Sequence, residues 1–556
     1  MAQPQQQLLH IIFSPQALLT LFLCFIFLLL LRYYNKQPDK GRRLPPSPPG
    51  RFPIIGHLHL VSPESPHVSL TELSRKHAGP DGLLLLDLGQ ARTLVVSSPR
   101  GAEAFLRAHD HASRPLSAVA DVLFSGASDV AFALYGVLAA GQEAGRHAPA
   151  ERRQGARPRR RPRRGGGPGD RQGPPGRGLR RRRRRTGRGP ERASGRLRQR
   201  RRVPRRVRQV LPRRARERAF LGAHRRERGR VGRVGIEDFF PGLAKLRLRR
   251  RLLLAKTIGL KKRRYELLDK IIDDHAAKLS SSSSQKQHDR HDDEQEDQER
   301  DFVDVLLSLQ HEYNLTRDNI KAILIDMFAA GTHPSYVVME FAMAELMRKP
   351  RLMAKLQAEV RSKTPKGQQA VRSKTPKGQQ AVKKDDLSGM AYLKAVVKET
   401  LRLHPPVPLL LPRISMSSCD DVNGYAVPAR THVVVNAWAL GRDARSWGKN
   451  AEEFSPERFM ADDGGAAAGD FKRRDFQFLP FGARRRICPG MNFGVASVEM
   501  MLANLVYCFD WELPDGMREE DIDLTEVFGL SRHRKEKLLL VPTTPRDHAS
   551  TLHARA

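Results

Sequence analysis

The chain of 556 residues is long enough for two or three average domains, or for one large enzyme that follows a membrane anchor. Its four cysteines show no paired spacing, which excludes a disulfide-stapled secreted scaffold and indicates a body in a reducing compartment. A formal net charge of +39 is typical of proteins that bind nucleic acid or anionic membranes, unless the charge is confined to one segment.

The first element is an apolar stretch over residues 8–31, which is long enough to span the ~30 Å hydrocarbon core of a bilayer. The residues before it carry no positive charge, whereas Arg32 and Lys36 follow it. The positive-inside rule therefore predicts an uncleaved signal anchor at residues 1–32, with the body in the cytosol. A basic, proline-rich hinge follows over residues 33–50, and its LPPSPPG stretch can form neither a helix nor an inner strand.

Residues 51–136 have the pattern of an ordinary α/β start. Apolar runs predict strands over 83–88 and 93–96, with a glycine-containing turn between them. A helix is predicted over 101–109, and a loop opens after it. We therefore expect these residues to be the N-terminal part of a folded domain.

Residues 137–235 are rich in Arg, Gly, Pro and Ala and show no helix or strand period. Between residues 141 and 235 there are 36 arginines, six acidic residues and no lysine, a net charge of +30 that leaves +9 for the rest of the chain. This composition cannot bury enough apolar surface to offset the entropy of ordering, so disorder is predicted. Three origins are open: a basic tail that binds nucleic acid, a genuine disordered insertion, or a G+C-rich gene read out of frame. We favour the frame error, because these four amino acids have codons made only of G and C whereas lysine has none, and nucleic acid is not expected as a partner.

Helical periodicity returns after this segment, so residues 236–543 are predicted to be the C-terminal part of the same domain, followed by a tail at 544–556. Thr316 is the predicted N-cap of the longest helix. The predicted helices cover 260–278, 301–310, 318–346 and 392–404, the predicted strands cover 425–427 and 432–436, and surface loops are predicted at 285–300 and at the direct repeat 360–370 and 371–381.

The stretch Phe478–Gly490 (FLPFGARRRICPG) holds a single cysteine, Cys488, directly before an apolar periodic run. That run predicts a helix, whose free N–H groups and dipole would stabilise a thiolate at Cys488. A thiolate on an apolar loop with Arg486 nearby suits a haem, because the sulfur can ligate the iron and the arginine can pair with a propionate. A buried free thiol is the alternative interpretation of an isolated cysteine.

This stretch resembles the haem-binding loop of the cytochrome P-450 monooxygenases, whose pattern is Phe-x-x-Gly-x-Arg-x-Cys-x-Gly. Phe481, Arg486, Cys488 and Gly490 fit the pattern, whereas Arg484 stands where the family has glycine. The resemblance extends over both sides of the arginine-rich segment. It implies a fold that is mainly α with small β-sheets, and haem b (iron protoporphyrin) held with Cys488 as the axial ligand of the iron.

The helix predicted over 318–346 has small residues at its centre, which allow a flat group to approach the backbone closely. By resemblance this helix crosses the distal face of the haem, where the family places an acid and an alcohol that relay protons. His333 and Pro334 occupy those two positions here. A packed contact between small residues is the alternative interpretation. The resemblance thus leaves Thr332, His333 and Ser335 as candidate catalytic residues and places Ala329, Ala330 and Gly331 in the substrate pocket.

Glu399 and Arg402 are three residues apart on a predicted helix, so they lie on one face and can pair. Arg458 follows in the sequence PERF. The resemblance implies that these three residues form a buried network that braces the haem pocket. A buried charge without partners costs several kcal/mol, which is a physical reason for three members.

Further site residues come from the resemblance alone. It implies that Arg413 reaches a haem propionate. Val407, Leu410 and Leu411, in a predicted extended strand edge, would line the substrate pocket together with Phe528.

The sequence of the C-terminal half is similar to that of plant microsomal members, especially the flavonoid branch with flavanone 2-hydroxylases, flavone synthases and isoflavanone synthases. This similarity implies hydroxylation of a small, apolar, flavonoid-like metabolite. The reaction would use O2 and electrons from NADPH, delivered by a partner NADPH-cytochrome reductase. It also implies a single-pass protein of the endoplasmic reticulum membrane whose catalytic domain faces the cytosol.

Three departures from the family pattern predict weak or absent haem retention. Residues 137–235 stand where the family has a helix with a Trp-x-x-x-Arg pair and much of the distal lid, and Arg484 and Pro334 replace motif residues. Two other functions stay open for such a chain. One is an arginine-rich nucleic-acid binder with a relic enzyme half, whose affinity would fall steeply with salt. The other is an inert membrane protein.

Overall fold

The structure is a computed structural model of the chain, and it describes only part of it. The predicted anchor, the arginine-rich segment, the 285–300 loop, most of the direct repeat and the C-terminal tail lie outside the described residues, apart from isolated positions. The described ranges are 15–16, 19–20, 22–25, 42–107, 113–115, 128–133, 239–240, 247–285, 301–364, 382–460, 476–529 and 531–543, with single positions elsewhere.

Helices account for most of the described residues, and the sheets are small, as the sequence predicts. The helices are α1 Pro66–His77, α2 Pro99–Arg107, α3 Arg247–Gln285, α4 Phe302–Ser308, α5 Arg317–Arg348, α6 Pro350–Lys363, α7 Ala391–Leu403, α8 Ala437–Leu440, α9 Ala444–Trp447 and α10 Met491–Cys508. The strands are β1 Leu83–Leu88, β2 Ala91–Val96, β3 Arg413–Ile414, β4 Cys419–Val422, β5 Tyr425–Val427, β6 His432–Val435, β7 Asp510–Glu512, β8 Glu526–Val527, β9 His533–Arg534 and β10 Val541–Thr543.

The largest sheet in the described part joins the two ends of the domain in the order β1-β2-β6-β3. Strands β1 and β2 form an antiparallel hairpin because two apolar runs flank a turn at Gly89, which has a positive φ. Strand β2 then pairs in parallel with β6, with Thr93 opposite His432 and Val96 opposite Val435. Residues on either side of the arginine-rich segment are therefore held in one sheet.

The main apolar core lies between α5, α6, α7 and α10. Helix α5 begins where predicted, because the Thr316 hydroxyl accepts a hydrogen bond from the Asn319 N–H. Pro334 lies inside α5 and does not end it. Among the described residues, α5 and α10 have the length and apolar composition of a membrane span, and both contribute buried residues to this core.

The predicted strand edge between His404 and Arg413 is wrong. Residues 405–412 form turns and bends, and only Arg413–Ile414 pairs with β6. Prolines lack the N–H that a ladder needs, and Leu410 has a φ of 49°, which is outside the extended region. The other predicted helices and strands that lie within described residues are confirmed, with shifted ends.

Candidate functional site

The loop that holds Cys488 is a closed turn directly before α10. The Cys488 N–H donates to the carbonyl of Phe481 (2.9 Å), and the Gly482 N–H donates to the carbonyl of Leu479 (3.0 Å). Gly482 and Arg484 both have a positive φ, of 68° and 62°. The arginine thus holds the left-handed conformation that favours glycine, the residue at this position of the motif.

Cys488 is half-buried and lies two residues before Gly490, the N-cap of α10. Burial raises the pKa of the Cys488 thiol, and the Gly490 N–H opposes that rise only in part. In the protein alone, burial of the thiol therefore outweighs the expected stabilisation of the thiolate by the helix end. A cation at the sulfur would be needed to favour the charged form.

Three buried arginines converge beside this loop: Arg114, Arg413 and Arg486. Arg413 donates to the carbonyl of Ala483 inside the loop (3.0 Å). Arg114 donates to the carbonyls of Leu411 (2.7 Å) and Pro412, next to Arg413. The three guanidinium groups form what we call the arginine cradle.

The cradle concentrates positive charge away from water. Burial, together with the neighbouring Arg486, lowers the pKa of Arg413 to about 10. Burial also lowers the pKa of Arg486 to about 10, and burial with repulsion from the other two arginines lowers the pKa of Arg114 well below its ordinary value. Among the described residues, Arg114 and Arg413 donate only to backbone carbonyls. Asp129 offsets part of this repulsion at Arg114 and Arg486. A further anionic group would relieve more of it, so the donor set fits the two propionates of a haem.

The centre of α5 faces the start of α10. A methyl group at Gly331 would lie 3.7 Å from Cε1 of Phe493, five residues after Cys488. Ala329 and Gly331 are half-buried, while Ala330 and Thr332 are exposed. The small residues of α5 thus face Phe493 at ordinary van der Waals distance, so a flat group near α5 would have to lie to one side of this contact.

The three candidate catalytic side chains have different surroundings. The Thr332 side chain is exposed. The Ser335 hydroxyl donates to the carbonyl of Gly331 in its own helix (2.9 Å). His333 is buried, and its Nδ1 contacts the hydroxyl of Ser531, which lies outside α5.

The predicted buried network is assembled in the structure. Arg402 donates to both carboxylate oxygens of Glu399, at 2.7 Å each, and both side chains are fully buried. Nε of Arg458 lies 3.6 Å from Glu399 Oε1, and its guanidinium also donates to the carbonyl of Trp447 (2.7 Å). Arg402 further donates to the carbonyl of Ala451 (2.6 Å), so the network ties α7 to the chain ahead of the cysteine loop.

The predicted substrate-pocket residues do not all meet. Leu410 lies 3.9 Å from the Cβ position of Gly482, and Leu411 is held by Arg114, so both border the cysteine loop and the cradle. Val407 is half-buried in the turn before them. Phe528 instead stacks on His67 of α1, with 5.9 Å between ring centroids.

A cavity of about 570 Å³ lies beside α1 and the end of α5, and none of the predicted site residues line it. Its wall carries a polar chain in which His404 links Glu345 (2.8 Å) to Glu526 (3.4 Å). Arg532 and His404 hold the pKa of Glu526 well below its usual range, although burial opposes them. This chain ties α5 and α7 to β8.

Arg114, Asp129 and Asp326 were not predicted as site residues. Arg114 lies in the HASRP stretch at the opening of a predicted loop, and a basic residue between small and proline residues was an available signal. Asp129 and Asp326 are almost 200 positions apart, and they meet only through the packing of residues 128–133 on α5. No local pattern indicates that meeting.

Comparisons with known proteins address the family and the fold of the chain. The family model described as Cytochrome P450 matches residues 238–541. An indole-2-monooxygenase of Zea mays is 46% identical over 526 residues, covering 91% of this chain and 88% of its own length. A 3-hydroxyindolin-2-one monooxygenase of Zea mays is 41% identical over 535 residues, covering 92% and 91%. A solved structure of zebra fish cytochrome P450 with abiraterone matches with a TM-score of 0.54 at 20% identity, over 86% of this chain and 100% of its own, and supports the fold.

Proposed function

Because the chain belongs to the cytochrome P450 family, we propose that it is a haem-thiolate monooxygenase in which Cys488 is the axial ligand of the iron. The observation that carries the proposal is the arginine cradle, which is buried, basic and next to the cysteine loop. When bound, haem supplies the activation of O2 for oxidation of the substrate. Electrons are expected from NADPH through a partner flavoprotein reductase, as in the family.

The residues of the site would then divide among three tasks: binding the propionates, presenting the sulfur and delivering protons. Arg413, Arg486 and Arg114 would pair with the propionates of a bound haem, while Phe481 and Gly490 shape the loop that presents the sulfur. These assignments are supported by the loop closure and by the burial of the guanidinium groups.

Proton delivery is assigned to α5. Thr332 is exposed at the centre of the helix, and His333 can hold a proton that it exchanges with the Ser531 hydroxyl. Ser335 is already bonded to its own helix, so it is the weakest of the three candidates.

For the substrate we propose a small, apolar plant metabolite of the indole class. The support is the maize relatives, whose names specify oxidation of indole and of a hydroxylated indolinone. A flavonoid-like substrate is the second candidate, because the sequence of the C-terminal half resembles the flavonoid branch of the family. Product formation from indole, an indolinone and a flavanone, each with NADPH and a plant reductase, tests the choice. Turnover of the flavanone alone would contradict the indole class.

We also propose that the chain is anchored in the endoplasmic reticulum membrane by residues 8–31, with the catalytic domain in the cytosol. Residues 137–235 are proposed to replace natural helices through a frame error. The start of the family match at residue 238, directly after this segment, supports that view. Sequencing the transcript through codons 130 to 240 tests it, because an unbroken frame encoding the same arginines would contradict it.

The haem assignment is tested by titrating the purified full chain with haem and recording the carbon-monoxide difference spectrum after reduction. We expect substoichiometric haem, because Arg484 strains the loop, and a spectrum typical of thiolate ligation in the loaded fraction. Cys488→Ser should remove that spectrum. Cys508→Ser is the matched control, since Cys508 is half-buried at the far end of α10. An identical spectrum from the Cys488→Ser protein would refute the assignment.

A further inference from the structure

The segment 128–133 is a short stretch that supplies hydrogen-bond acceptors to the arginine cradle. Nε of Arg114 donates to the carbonyl of Ala131 (2.9 Å). Arg486 donates to the carbonyl of Val130 (3.3 Å) and to that of Ala133. The direction of two cradle arginines therefore depends on where this backbone lies.

Side chains of α5 form hydrogen bonds with the same backbone segment from its other side. One carboxylate oxygen of Asp326, Oδ2, accepts hydrogen bonds from the N–H groups of Val130 (2.8 Å) and Ala131 (3.1 Å). Asn319, two turns earlier on α5, donates through Nδ2 to the carbonyl of Ser128 (3.3 Å). The side chain of Val130 adds an apolar contact, because it is buried in the cluster formed with α3 and α5.

We infer that Asp326 is a positioning residue that sets the orientation of Arg114 and Arg486 through the peptide groups of residues 130 and 131. Each of these two residues offers its N–H to Asp326 and its carbonyl to an arginine. An acceptor that holds the N–H of a peptide group fixes the position of that group and polarises it. The hydrogen bond that the neighbouring carbonyl accepts from an arginine is thereby strengthened. The inference rests on the proposed haem function only for the role of the arginines.

A second acid accompanies Asp326. Asp129 is buried, its Oδ2 accepts from the Phe132 N–H (3.2 Å), and its carboxyl group lies within hydrogen-bonding reach of the Asp326 carboxyl group. Burial and the nearby Asp129 raise the pKa of Asp326 well above its ordinary value, and burial raises the pKa of Asp129 to about 6. A protonated Asp326 can still accept both N–H groups, so an acceptor oxygen at this position matters more than a full negative charge.

Two substitutions of Asp326 separate the role of an acceptor oxygen from that of a negative charge. Asp326→Asn keeps an acceptor oxygen of the same shape, whereas Asp326→Ala removes it and leaves two buried N–H groups unpaired. Hydrogen exchange of the peptide that contains residues 128–133 should accelerate at least 10-fold in Asp326→Ala and stay within 3-fold of the parent in Asp326→Asn. Asp318→Ala, which removes an exposed carboxylate near the start of the same helix, is the matched control and should leave this peptide unchanged. Equal acceleration in the Asn and Ala variants, or none in either, would overturn the inference.

The second readout uses haem-loaded protein. Asp326→Ala should release haem at least 10-fold faster and shift the reduction potential of the iron, while Asp326→Asn restores both towards the parent. If the parent binds no haem, the proposed function fails, yet hydrogen exchange still decides whether Asp326 holds the segment. If the parent binds haem and the Ala variant exchanges faster without any change in haem release or potential, the positioning role is refuted.

Discussion

The pairing of Glu399 with Arg402 makes the sharpest stability prediction for this chain. Both side chains are fully buried, and two parallel hydrogen bonds of 2.7 Å join them. Glu399 also accepts the N–H of Ser455 (2.7 Å). Replacing Glu399 with glutamine keeps the shape but leaves the Arg402 guanidinium without a negative partner in a dry site. Breaking a buried pair in this way costs about 3–5 kcal/mol.

A surface pair with the same N···O distance, but with a single contact, provides the control. Lys355 and Glu457 are 2.7 Å apart but about half exposed, and such pairs contribute about 0–1 kcal/mol. We therefore expect Glu399→Gln to lower the free energy of unfolding by at least 3 kcal/mol and Glu457→Gln by less than 1 kcal/mol. Urea unfolding followed by circular dichroism measures both. Tryptophan fluorescence adds a local probe, because the Arg402 guanidinium lies 5.3 Å from the ring of Trp447. Equal losses in the two variants would refute the argument that burial sets the cost.

Three further predictions concern the loop, the acid response and the cradle. Arg484→Gly should raise the free energy of unfolding by about 0.5–1 kcal/mol in urea titrations, because it removes a side chain from a left-handed conformation. The variant loses the contact between the exposed Arg484 guanidinium and the buried Phe476 ring, and a free energy of unfolding below that of the parent would contradict the strain. Burial lowers the pKa of His67 below its ordinary value of 6.5, so the unfolded state is protonated first and the stability of the fold falls as pH drops through 6.5. His67→Gln should therefore reduce the slope of the unfolding midpoint against pH in this range. An unchanged slope would contradict this prediction. Arg413→Gln should weaken haem binding about 10-fold or more in titrations, since it removes a charge-assisted bond, whereas the exposed Arg430→Gln should not.

The elements that the sequence predicts well are those governed by local signals. Thr316 lies three residues before Asn319 and directly ahead of an apolar periodic run, and the helix begins there. Residues 83–86 are four consecutive leucines, which suits a strand buried on both faces, and the strand continues through Asp87 to Leu88. Glu399 and Arg402 share one helical face by spacing alone, so their contact was also predictable.

The parts that the sequence does not predict depend on contacts between distant segments. Asp326 carries no motif, and its role emerges only when residues 128–133 pack against α5. The strand expected before Arg413 does not form, because its prolines lack the N–H groups that a ladder needs and Leu410 has a positive φ. The thiol of Cys488 illustrates a third limit, because burial and the helix end act on its pKa in opposite directions and spacing does not tell which effect is larger.

The parallel pairing of β2 with β6 has a consequence for synthesis of the protein. Val96 finds its partner Val435 only after the ribosome has added about 340 more residues, which takes roughly 20–70 s at ~5–20 residues per second. During that interval the β1–β2 hairpin has an open edge, and open edges recruit other extended chains. The first half of the domain therefore cannot complete its largest sheet until residues 432–435 have been synthesised.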